Sequence, residues 1–143
     1  MTIEQLYSIY LQYPHVQTDT RKLKPGEVFF ALKGDNFNGN SFSKKAIEDG
    51  AAYAVIDEEA YQQGERTILV EDVLETLQQL ALHHRRQFRM PFIGITGSNG
   101  KTTTKELVTA VLRQKFKTYA TEGNLNNHTG VPLTLLKIGA EAR

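Results

Sequence analysis

The stretch FIGITGSNGKTT, residues 92–103, decides how this chain is read. Residues 92–96 are mostly apolar and predict a strand. A turn with two glycines follows, and the spacing predicts a helix from near Lys101 to about Gln114. A strand that feeds a Gly-rich turn and then a helix aims backbone N–H groups at one point. The helix dipole adds positive potential there, so the arrangement predicts a polyphosphate site. Gly97 and Gly100 permit a backbone path that side chains would block. Lys101 is placed to reach the β- and γ-phosphates, and the Thr102 hydroxyl to ligate Mg²⁺. Ser98, Asn99 and Thr103 complete the loop, with two further hydroxyls for hydrogen bonds. These residues point to a protein that uses ATP, or a close relative, with Mg²⁺. The strict pattern G-x-x-x-x-G-K-[ST] would put its first glycine at Ile95, whereas the glycine here is Gly94, so the loop is a variant. The competing reading is an ordinary Gly-rich turn before a helix.

Outward from the loop, the chain alternates helical and extended signals. Thr2 suits the N-cap of a helix whose apolar positions are Ile3, Leu6, Tyr7, Tyr10 and Leu11, stopped by Pro14. Residues 18–21 (TDTR) lead to a turn at 24–26 (KPG) and a strand at 28–32 (VFFAL). Residues 33–40 (KGDNFNGN) have loop composition. A short helix over 43–49 ends at Gly50, and strands are expected at 54–56 and 67–70. Between those strands, 58–63 reads as a helical turn or two closed by Gly64. A long amphipathic helix is predicted over 72–89, with Val73, Leu77, Leu80, Ala81 and His84 on one face, ended by Pro91. After the loop helix come a strand at 117–121, a polar loop at 122–130 (EGNLNNHTG), and a last helix at 133–138 with Pro132 in its first turn. Alternating strands and helices give an α/β class. The expected boundary is Pro91 or the end of the helix before it, dividing 1–90 from 91–143. The second part holds only the opening of a nucleotide-binding sheet, which needs about four or more strands. The protein is therefore expected to continue past Arg143.

The 143 residues are 40% hydrophobic and 23% charged, the profile of a soluble globular protein. No apolar run approaches the roughly 20 residues needed to span a bilayer, and the first ten residues carry an acid but no base, unlike a signal peptide. There is no cysteine, which excludes disulfides and thiolate zinc sites. These features favour the cytoplasm and no membrane partner. The net charge of +1 argues against a nucleic-acid-binding face. One basic cluster stands out, at His83, His84, Arg85, Arg86 and Arg89; it reads as a solvated last helical turn whose cations complement the dipole, against a binding role. None of His15, His83, His84 and His128 has a carboxylate at convincing metal-ligand spacing.

The variant loop, residues 94–103 (GITGSNGKTT), resembles the ATP loop of the Mur ligases and their folylpolyglutamate synthase relatives. Residues 121–136 (TEGNLNNHTGVPLTLL) are similar to the segment after the first helix in the Mur ligase that adds D-alanyl-D-alanine. Residues 18–21, 25–34 (PGEVFFALKG), 38–42 (NGNSF) and 50–56 (GAAYAVI) resemble the N-terminal domain shared by the tripeptide- and pentapeptide-forming members. The resemblance covers most of the chain, in blocks in the right order.

The resemblance implies a small N-terminal α/β substrate domain followed by the start of a P-loop ATP-binding α/β domain. It implies an ATP-dependent amide ligase of peptidoglycan precursor synthesis. A UDP-N-acetylmuramoyl-tripeptide (UDP-MurNAc-tripeptide) carboxylate would attack the γ-phosphate to give an acyl phosphate, and the amine of D-Ala-D-Ala would then displace phosphate. Lys101 would act catalytically by neutralising charge, with Mg²⁺ on Thr102. Thr20 and Arg21 would bind the UDP end, the alternative being a hydrogen-bonded surface turn. Asn124, Asn126 and Asn127 would approach nucleotide and acceptor, the alternative being a loop held by its own Asn side chains. His128 borders that loop and reads as solvated. No segment matches the family's downstream Mg²⁺ glutamate, carbamylated lysine, adenine-binding residues or C-terminal domain, so these residues alone are not expected to catalyse. Family members of this kind look monomeric. The tripeptide-forming ligase differs after the first helix, and folylpolyglutamate synthase lacks a domain like 1–90. A non-catalytic nucleotide-binding module is the remaining alternative, against which Lys101 and Thr102 are both intact.

Overall fold

A computed structural model describes residues 1–123, 125–139 and 141. Helix α1 (Ile3–Gln12) opens with a reciprocal capping box: Thr2 Oγ1 accepts the Gln5 amide at 3.2 Å and Gln5 Oε1 accepts the Thr2 amide at 2.9 Å. Strands β1 (Val16–Gln17) and β2 (Val28–Phe30) follow, then a small antiparallel hairpin of β3 (Lys33–Gly34) and β4 (Phe37–Asn38). Helix α2 (Ser43–Glu48), β5 (Tyr53–Ile56), β6 (Thr67–Leu69) and helix α3 (Val73–Arg85) complete this part.

The sheet runs β1-β2-β5-β6 and every pairing is parallel. Val16 lies opposite Val28, Phe29 opposite Ala54, and Val55 opposite Ile68. Because side chains alternate along a strand, the central strands β2 and β5 each feed two cores. Val28, Phe30, Val55 and Ile68 join Leu6 and Tyr10 of α1 and Val73, Leu77 and Leu80 of α3. Phe29, Ala54 and Ile56 join Ala46 of α2 and Ala51. Both faces are covered, which is why these strands read as unbroken apolar runs rather than alternating ones.

The segment 33–40, expected to be a loop, contains the hairpin, and a buried polar cluster fixes it. Asn40 is fully buried; its amide nitrogen donates to Asn38 Oδ1 and Asp57 Oδ1, both at 2.9 Å, and its carbonyl accepts the Asp57 amide at 3.0 Å. Lys33 Nζ lies 2.9 Å from both Asp57 and Glu58, while Asp57 Oδ2 accepts the first amide of α3, from Val73, at 3.2 Å. Burial pushes the Asp57 carboxyl up, but Lys33, Asn40 and the Val73 amide together outweigh it and hold it below its usual range.

Several expected boundaries shift. Helix α3 ends at Arg85 rather than 89, because the chain then tightens: Gln87 donates to the His84 carbonyl and Phe88 to that of Arg85. That turn brings the Phe88 ring edge-on to His84, with centroids 4.9 Å apart. His84 is buried, not part of a solvated basic face; its Nε2 donates to the Ile138 carbonyl at 2.7 Å and its Nδ1 lies 3.0 Å from the Tyr7 hydroxyl. After α3 come helix α4 (Lys101–Leu112) and helix α5 (Gly130–Leu135). The strands expected at 92–96 and 117–121 do not form, since neither run finds a ladder partner among the described residues. Helix α5 starts three residues before the expected 133 because Asn127 Oδ1 accepts the Thr129 and Gly130 amides, at 3.2 and 2.6 Å, and so caps it early. Beyond α5, Leu136 joins the core of α1 and α3, and the Tyr10 hydroxyl donates to its carbonyl at 2.6 Å.

Candidate nucleotide-phosphate site

Between Pro91 and α4 no ladder constrains the backbone, and glycines set its path. Gly97 has φ +148° and Gly100 φ +77°, the latter a left-handed N-cap position that a side chain would strain. No side chain among the described residues caps α4, and its first turn holds no acid. The first turn of α4 and the positive end of its dipole face the open space beside the loop. Arg85, at the end of α3, sits 4.0 Å above the Phe92 ring and anchors the run into the loop.

Lys101 folds back over this loop, its Nζ donating to the Gly97 carbonyl. The result is an open hollow of about 420 Å³ lined by residues 98–103 and Asn126. The lining carries an ammonium, hydroxyls, carboxamides and backbone amides, and no carboxylate. This donor set fits the oxygens of a polyphosphate and repels none of them.

The predicted site residues do not all gather in one place. Ser98, Asn99, Gly100, Lys101, Thr102 and Thr103 are together in the hollow, with Asn126 brought in from the distant polar loop. Gly97 supplies the carbonyl that Lys101 bonds. Asn127 is one residue further on, but its Oδ1 is engaged in capping α5. Asn124 lies outside the described residues. Thr20 and Arg21 do not line the hollow. They form a hydrogen-bonded turn in which Arg21 grips Asp19 through Nε at 3.0 Å and Nη2 at 2.8 Å. The Arg21 hydrogen bonds hold the Asp19 carboxyl down to about 2.

The two halves each match a family model. Residues 12–85, just over half the chain, match the Mur ligase family, catalytic domain. Residues 95–142 match the Mur ligase middle domain. The chain belongs to the Mur ligase family. Curated relatives among the Mur ligases include the UDP-N-acetylmuramoyl-tripeptide–D-alanyl-D-alanine ligase of Bacillus subtilis, 46% identical over 85% of this chain and 27% of the relative. The protein of the same name from Synechocystis is 45% identical over 89% of this chain and 28% of the relative. The chain thus spans little more than a quarter of the length of these relatives. Among solved structures, the MurF ligase of Thermotoga maritima in complex with ADP matches with TM-score 0.79 and 34% identity, over 88% of this chain and 29% of that one. MurF from Acinetobacter baumannii matches with TM-score 0.83 and 32% identity, over 98% of this chain and 33% of that one.

In this Mur ligase chain one residue near the site escaped the sequence reading. Lys105, one turn after Lys101 on α4, donates to the carbonyls of Thr121 at 2.7 Å and Gly123 at 2.9 Å. Its four-residue spacing from Lys101 places both on one helix face, which was the available signal. The carbonyls it would meet depend on tertiary structure and left no trace in sequence. Gly130 is likewise required by packing, because a Cβ there would lie 2.8 Å from the Leu125 backbone.

Proposed function

We propose that the protein carrying this chain is an ATP-dependent ligase of peptidoglycan precursor synthesis that joins D-Ala-D-Ala to UDP-MurNAc-tripeptide. The observation that carries the reading is the meeting of Asn126 with the phosphate loop in one hollow. Asn126 belongs to the segment that resembles the D-alanyl-D-alanine-adding branch, and relatives bearing that name are 46% and 45% identical. In this reading the acceptor carboxylate attacks the γ-phosphorus, an O–P bond forms, and ADP leaves with the bridging electron pair. The amine of D-Ala-D-Ala then attacks the acyl carbon and phosphate leaves. Lys101 and the α4 amides hold the γ-phosphoryl oxygens and offset the charge that develops on them.

Mg²⁺, when bound, would spread the charge of the phosphate oxygens. Thr102 supplies a hydroxyl for it. Among the described residues no group of three or more His, Cys, Asp or Glu could hold a metal. Thr20 and Arg21 are assigned to the UDP end, and Asn124 and Asn126 to the acceptor side, with Asn127 shaping that loop through its cap. The division into a UDP-substrate unit, 1–90, and the opening of an ATP-binding unit, 91–143, belongs to the same proposal, supported by the family models that match on either side. So do a cytoplasmic, monomeric protein and the absence of membrane and nucleic-acid partners; no helix among the described residues is long and apolar enough to cross a membrane.

Phosphate release by the full-length protein tests the assignment. With ATP, Mg²⁺ and UDP-MurNAc-tripeptide, release is expected to depend on D-Ala-D-Ala. Release only with UDP-muramoyl dipeptide and a diamino acid would move the protein to the tripeptide-forming branch. No release with either acceptor would overturn the ligase reading.

A further inference from the structure

We propose that Lys105 is a positioning residue that sets the reach of Asn126 into the phosphate hollow; the inference rests on the ligase reading above. The Lys105 side chain is 13% exposed, and its ammonium meets three acceptors: the Thr121 and Gly123 carbonyls and, at 3.3 Å, the Glu106 carboxylate. Two of its donors are hydrogen-bonded to the carbonyls while its charge pairs with Glu106, and a neutral side chain of the same length could not do both. Charge-assisted bonds from a largely desolvated cation are strong and hold their partners closely. Two further side-chain ties on this segment are exposed: Lys137 pairs with Glu122 at 3.1 Å, and Gln78 donates to the His128 carbonyl at 3.1 Å.

The consequence is mechanical. Lys101 at the start of α4 lies over the phosphate loop, and Lys105 one turn later clamps residues 121–123 to the same helix. Asn126 follows three residues beyond the clamp and enters the hollow. The acceptor-side segment is thereby referenced to the helix that holds the phosphates. A carboxylate guided by Asn126 then meets the γ-phosphate at a set distance.

The test uses the full-length protein with Lys105→Met, Lys105→Arg, Asn126→Ala and the Lys105→Met/Asn126→Ala double variant. Lys105→Gln is the milder replacement if Lys105→Met does not fold. In phosphate release, Lys105→Met is expected to lower kcat/KM for the acceptor roughly tenfold, with KM for ATP little changed. Lys105→Arg should recover most of it, and the double variant should be no worse than the more impaired single variant, because both changes remove one positioned group. Wild-type rates in Lys105→Met, or losses that multiply in the double variant, would overturn the inference while leaving the ligase reading intact. A wild-type protein without release would overturn the ligase reading, and amide hydrogen exchange then decides the clamp. Exchange about tenfold faster at 121–123 and 125–127 in Lys105→Met, with α1 and α3 unchanged, is the expected result. Unchanged exchange there would overturn the clamp itself.

Discussion

Strand β2 and the run at 92–96 are both short apolar stretches, yet only one is a strand. In β2, Val28, Phe29 and Phe30 are buried between two helical layers and paired on both edges, with β1 and β5. At 92–96 there is no ladder, and Ile93 is 63% exposed. The same contrast separates the long helices. Helix α3 buries Val73, Leu77, Leu80 and Ala81, whereas α4 buries Thr109 but leaves Leu107 and Val111 64% and 71% exposed. Extended structure is thus a property of the neighbour as much as of the residues, because a lone strand leaves its backbone groups unpaired. The phosphate loop is different again: its geometry rests on glycine conformations and a helix terminus, which need no sheet to be read.

The contrast predicts graded stability effects, each measurable by urea unfolding of the 143-residue chain. Leu77→Ala should cost about 2–5 kcal/mol, since a fully buried leucine leaves a cavity between α3 and the sheet. A loss under about 1 kcal/mol would mean that this face is not a close-packed core. Asn40→Ala should cost about 1–3 kcal/mol, because the Asp57 amide loses its acceptor in a buried place. A neutral result would remove the polar cluster from the account of the hairpin.

Acid should act through the same cluster. The folded-state pKa of Asp57 lies below its ordinary value, so its contribution is fully present above about pH 4 and is lost as the pH falls through the folded value. Stability should therefore fall below pH 4, and Asp57→Asn should flatten that fall; an identical slope in the variant would contradict the assignment. At the small end, Val111→Ala on exposed α4 should change stability by less than about 0.5 kcal/mol. A core-sized loss would show that α4 is packed as α3 is.

Legibility in the sequence follows the range of the forces involved. The α1 N-cap at Thr2, the strands β2, β5 and β6 and the apolar face of α3 were readable because caps, runs and periodicity are local or repeat along the chain. The hairpin at 33–38 was hidden because Gly and Asn there look like loop, and it is fixed by distant partners, with Asn40 bonding to Asp57, 17 residues away, and Lys33 pairing with Asp57 and Glu58. The strands at 92–96 and 117–121 were over-read, since apolar content does not report a partner. At the candidate site, the grouping of residues 98–103 around one hollow follows what loop chemistry alone suggested. Asn126 and Asn127 looked equivalent in sequence, and only the fold separates the one in the hollow from the one that caps α5. His84 was placed on the right face, but its bond to Ile138, 54 residues on, was beyond any periodicity argument.

The central claim is that residues 97–103 hold the phosphates of ATP during transfer. Its most direct test is turnover of the full-length protein carrying Lys101→Ala, with urea unfolding to show an unchanged fold. Losing one cation aimed at the transferred group should lower kcat roughly 10²–10³-fold or more. Near-normal turnover in a well-folded variant would contradict the claim and remove the loop from the reaction.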